Sequence, residues 1–139
     1  MSWRNWSEQG FGFKLFNGKN DRQVMNFIRK NIPQEITDEE AEALVTTEIS
    51  YWEIYNDEPS CLVAGIINEK EGTTVFCGYR ECRDTDQEEY IGVYPSYPWQ
   101  LNDADRNMTL DMATLILKKY ANILDITDAP NYLEAYYCG

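Results

Sequence analysis

The sequence predicts an α+β fold: an antiparallel β-sheet of about five to six strands with two to three helices packed on one face. Three observations lead there. Strand-like segments follow one another through the middle of the chain, and helical segments gather towards its two ends. The length, 139 residues, suits one globular domain over 1–139 with enough chain to bury a core.

The elements follow in order. Phe11, Phe13 and Leu15 alternate onto one side of an extended chain, and Gly18 supplies the turn after it. Asn20 or Asp21 caps a helix running to about Asn31, with Val24, Phe27 and Ile28 on one face. Pro33 prevents its simple continuation. Thr37-Asp38-Glu39-Glu40 has the form of a capping box, in which the Thr37 hydroxyl accepts from the Glu40 amide while the Glu40 side chain reaches back. The helix it opens places Ala41, Leu44 and Val45 together and runs to about Thr47. Aromatic and β-branched residues then favour a strand over 49–55. Residues 61–67 and 73–79, joined through Asn68-Glu69-Lys70-Glu71-Gly72, give the best hairpin signal in the chain.

A short strand follows at 90–94. The most secure helix begins at Asn107 or Thr109 and runs to about Leu124. Met108, Met112, Leu115, Ile116, Lys119 and Ile123 share one broad sector of it. A last strand-like stretch, 132–137, comes after Pro130.

Charge says more about partners than about fold. The chain has 24 acidic and 12 basic side chains, a formal net charge of -12, and no histidine. Without histidine the usual catalytic triads and zinc-hydrolase ligand sets are excluded. The asymmetry is steep. Residues 1–30 hold six basic and two acidic side chains, and the remaining 109 hold six basic and 22 acidic, a net -16. Such a surface repels nucleic acid and anionic membrane and attracts a basic surface. No run of apolar residues is long enough to span a membrane, and the first residues lack the apolar core of a secretory signal, so the expected location is cytoplasmic.

The acidic residues form three clusters. Asp38, Glu39, Glu40 and Glu42 fall in the first turns of a helix, where negative charge is favourable. Glu81, Asp84, Asp86, Glu88 and Glu89 fall in an expected loop between strands, with no helix end to offset their mutual repulsion. Asp103-Ala104-Asp105-Arg106-Asn107 begins like a calcium loop, but Met108 stands where glycine is needed and Thr114 where a bidentate glutamate is needed. Cys61, Cys77, Cys82 and Cys138 include no pair at two-residue spacing, so free thiols are expected rather than disulfides or a zinc site. No metal and no cofactor are expected. Cys82 beside Arg80 and Arg83 lacks a histidine base and is a poor nucleophile candidate.

The aromatics complete the pattern. There are five Phe, four Trp and ten Tyr, and Tyr94-Pro95-Ser96-Tyr97-Pro98-Trp99 sets three rings on a stiff, proline-held segment. Tyr and Trp dominate interface energetics, and a stiff segment loses little entropy on binding. Together these features predict a non-enzymatic acidic binding or inhibitor protein. It would engage a basic protein surface, such as a nucleic-acid-binding site, by charge complementarity with aromatic anchors. The partner-binding residues so assigned are Asp84, Asp86, Glu88, Glu89, Tyr94, Tyr97 and Trp99, with a basic protein as partner and no direct contact with nucleic acid or membrane. The alternatives are a small enzyme using carboxylates, tyrosine or cysteine, and a homo-oligomeric assembly subunit.

Overall fold

The structure, a computed structural model, describes residues 10–80, 88–93, 107–127 and 129–133. In chain order the elements are β1 (Gly10–Lys14), α1 (Asp21–Asn31), α2 (Asp38–Val45), α3 (Tyr51–Tyr55), α4 (Pro59–Glu71), β2 (Phe76–Arg80), β3 (Glu89–Val93), α5 (Leu110–Ile123) and β4 (Asn131–Leu133). The strands form one antiparallel sheet in the order β2-β3-β1-β4.

The fold is α+β, but the expected strand and helix numbers are corrected. The described residues contain four strands and five helices, because two segments of strand-favouring composition are helical. The first is 49–55, where α3 occupies residues 51–55. Ser50 closes a capping box with Glu53: its hydroxyl accepts from the Glu53 amide at 3.3 Å, and its own amide donates to Glu53 Oε2 at 2.7 Å. Satisfying two end amides in this way outweighs weak β propensity.

The second is 61–67, which lies inside α4. Pro59 sits at the start of that helix, where its missing N–H costs nothing, and Gly72 ends it at φ 70°. The expected hairpin with 73–79 therefore does not form. Strand β2 pairs with β3 instead, with Gly78 opposite Ile91 and Phe76 opposite Val93. Helix α4 lies across β2, and at Gly78 an added Cβ would run into the Ser60 carbonyl group. Only glycine lets this helix approach so closely.

Period-two alternation sorts the sheet residues. One face carries Phe13, Phe76 and Ile91, all buried in the core with Leu15 beyond the end of β1. The opposite face carries the exposed Lys14 and Cys77. Helix α1 buries Val24, Phe27 and Ile28 as its spacing requires, and Met25 as well. The capping box at Thr37 forms with both hydrogen bonds, 3.0 and 2.9 Å.

Asn20 occupies the cap position of α1 but makes no side-chain cap bond. Fully buried, its Nδ2 donates to the carbonyls of Leu15 and Leu124, and its Oδ1 accepts from the Asn17 amide. One side chain thereby joins the end of β1 to the end of α5.

Helix α5 turns a different face inward from its conspicuous apolar sector. Ala113, Leu117, Tyr120 and Ala121 are buried, followed by Leu124, whereas Met112, Leu115 and Ile123 are exposed, Leu115 by 70%. Spacing of three and four residues makes both stripes apolar, and the alanines let the buried one approach closely. Among the described residues, no helix is long and apolar enough to cross a membrane.

Candidate functional site

A cleft of about 810 Å³ opens where the end of α2, helix α3, the start of α4 and the start of β3 meet. Among the described residues, five carboxylates line it, from Asp21, Glu48, Glu53, Glu58 and Glu89, and no lysine or arginine does. Its aromatic residues are Phe16, Tyr51 and Trp52.

Local structure fixes each of these groups. The capping box that starts α3 also anchors Glu53. The same turn holds Trp52 48% exposed, with its indole Nε1–H donating to Glu58 Oε1 at 2.6 Å. Tyr51 points inward and stacks on Tyr55 one turn on, with ring centroids 6.3 Å apart and planes 21° apart. Burial, helped by the negative charge of Asp21, pushes the Tyr51 hydroxyl well above its ordinary pKa. Thr47, at the cleft's edge, has φ 61°, a left-handed conformation that β-branched residues rarely adopt.

Glu89 is the innermost carboxylate, only 7% exposed. It opens β3 on the same face as Ile91, so alternation turns its side chain towards the helices. There Oε1 accepts from the Ser60 amide at 3.0 Å. Glu58, at the cap position of α4, makes no side-chain cap bond, and Glu89 satisfies that helix end from the sheet.

Glu88 precedes it and faces a different neighbourhood. Lys14 lies 2.6 Å from its carboxylate, and the Tyr90 hydroxyl donates to it at 2.9 Å. These bonds, Lys14 first, hold its pKa below the usual carboxylate range. Of the other residues assigned to partner binding, Asp84, Asp86, Tyr94, Tyr97 and Trp99 lie outside the described residues. So do Cys82 and Cys138.

Cys61 and Cys77 are free thiols. The Cys61 thiol is half-buried and donates to the Gly78 carbonyl at 3.5 Å. Burial first, then the charges of Asp57 and Glu89, raise its pKa. Among the described residues, no three His, Cys, Asp or Glu side chains are placed so that they could hold a metal ion.

The cleft brings together residues that the reading of acidic runs overlooked: Asp21, Glu48, Glu53, Glu58, Tyr51 and Trp52. Asp21, Glu48 and Glu53 have no acidic neighbour in the chain and Glu58 has only Asp57, so no acidic run marks them. The available signal was Ser50-Tyr51-Trp52-Glu53, which has the capping-box spacing of Thr37–Glu40 and would have placed both rings on a helix. Compared with models of known protein families, with curated proteins and with solved structures, the chain matches none of them.

Proposed function

We propose that this chain is a non-enzymatic, cytoplasmic binding protein that engages a basic protein surface, with the acidic cleft receiving a cationic side chain of the partner. The observation that carries this reading is the cleft itself: among the described residues, five carboxylates, no lysine or arginine and a half-exposed indole share one concavity. A guanidinium or ammonium entering it gains from several negative charges and from an aromatic face, and partial desolvation strengthens both interactions. The net charge of -12 steers such a partner inward and raises the association rate.

The carboxylate run belongs to the same proposal. Glu89 lines the cleft, and in the chain Asp84, Asp86 and Glu88 lead directly to it. Tyr94, Tyr97 and Trp99 follow β3 and serve as further aromatic anchors. Burial raises the pKa of both the Tyr51 hydroxyl and the Cys61 thiol, so neither is an activated nucleophile.

The test is capture of partners from native lysate at low salt and at about 0.5 M salt, where exposed charges are strongly screened. It compares the natural chain with one carrying Asp84→Asn, Asp86→Asn and Glu88→Gln. The reading expects a basic protein that is released by salt and held less well by the substituted chain. A partner held equally in all four conditions would refute it.

A further inference from the structure

A second concavity, of about 710 Å³, lies where α1, the end of α4 and α5 converge, and its charge is opposite to that of the acidic cleft. Among the described residues, Lys30, Lys70 and Lys119 line it, with Glu71 as the single carboxylate. Three of the chain's 12 basic side chains are therefore gathered round one cavity in a strongly acidic protein.

Glu71 is already engaged. Lys119 Nζ lies 3.0 Å from Oε2, and the Tyr120 hydroxyl donates to the same oxygen at 2.7 Å. Among the described residues, no carboxylate lies within ion-pair distance of Lys30 or Lys70. Three lysines against one glutamate leave the lining at +2. The helix macrodipole favours a cation near the end of an individual helix. It does not by itself gather exposed lysines from three helices round one cavity, an arrangement that raises mutual repulsion and that a bound anion relieves.

The remaining lining suits an organic anion. Gln23 and Asn26 offer exposed carboxamides one turn apart on α1, aligned with Lys30 at helical spacing. Phe27 and Tyr120 meet edge to face at 6.0 Å and close the floor, and Ile123 presents an exposed apolar wall. The volume falls within the range of small-molecule sites.

We propose that this cavity binds a small organic phosphate monoester, its phosphate held between Lys30 and Lys70 and its apolar or aromatic body against Ile123. The charge of such a phosphate near neutral pH, about -1.5 to -2, matches the +2 lining.

The test is titration of the full chain with phenyl phosphate, inorganic phosphate and benzyl alcohol, followed by NMR of the lysine side chains and the Ile123 methyl groups. Phenyl phosphate should give saturable shifts at Lys30, Lys70 and Ile123, and should bind more tightly than inorganic phosphate; benzyl alcohol should give none. Lys30→Gln and Lys70→Gln should each weaken phenyl phosphate about tenfold, the scale of one hydrogen bond to a charged group. Lys19→Gln removes the same charge away from the cavity and should change affinity less than about twofold because of screening. The absence of saturable shifts, equal affinity for inorganic phosphate, or equal weakening by Lys19→Gln would each overturn the assignment.

Discussion

The Glu89 carboxylate accepts the Ser60 amide at 3.0 Å across 29 positions of sequence, so the first turn of α4 is capped from the sheet rather than from its own flank. Glu89→Ala leaves that buried amide unsatisfied and should cost about 2 kcal/mol. Glu89→Gln keeps an acceptor and should cost less. Denaturant unfolding of the two variants checks the order. Equal losses would mean that the bond to Ser60 contributes nothing.

Helix α4 can rest on β2 only because residue 78 has no side chain. Gly78→Ala should destabilise the protein by about 3 kcal/mol, since the methyl group meets backbone and cannot be relieved by a rotamer change. Gly65, in the exposed part of the same helix, has open space round it. Gly65→Ala should stabilise by about 0.5 to 1 kcal/mol through helix propensity. Thermal unfolding measures both, and the opposite signs are the expectation.

Asn20 joins three backbone groups, two beside it at Leu15 and Asn17 and one 104 positions away at Leu124. Asn20→Leu should cost about 3 kcal/mol or more, because two carbonyls and one amide lose their partner while a larger apolar group enters the space. Asn20→Asp keeps the acceptor towards Asn17 but loses both donors, and it should be nearly as damaging. Chemical denaturation of each variant gives the ranking.

Glu71 introduces a pH dependence whose sign is fixed. Hydrogen bonds from Tyr120 first, then Lys119, hold its pKa below the ordinary carboxylate value in the folded protein. The stability it contributes is therefore present above the ordinary carboxylate value and is lost as pH falls through the lowered folded value. Tyr120→Phe removes the first of these bonds and should cost about 1 kcal/mol at pH 7, with solvent weakening the charge component. The gap between natural and variant protein should narrow below about pH 4. Urea unfolding across that window tests it, and a gap that widened in acid would be the wrong sign.

Where side-chain spacing and local hydrogen bonding agreed, the sequence was legible. Phe11, Phe13 and Leu15 announced β1, and the Thr37–Glu40 box announced α2. The errors came where composition spoke against the ends of an element. Aromatic and β-branched residues at 49–55 and 61–67 suggested strands, yet Ser50 with Glu53, and Pro59 with Gly72, mark helix ends that composition alone does not weigh. Helix α5 was found, but it carries two apolar stripes, and the larger residues of one face the solvent. The acidic cleft was the least legible feature. Its carboxylates come from Asp21 to Glu89 and are brought together only by the packing of α3 and α4 beside β3.

If the acidic cleft receives a cation from a basic partner, an arginine-rich peptide should bind there. Titration of the full chain with such a peptide, followed through the Trp52 indole N–H resonance at low salt and at about 0.5 M salt, checks this. A saturable shift of that resonance is expected at low salt, weakened by high salt and by Glu48→Gln. A peptide that bound without moving the Trp52 signal, or whose affinity ignored both salt and the loss of Glu48, would contradict it.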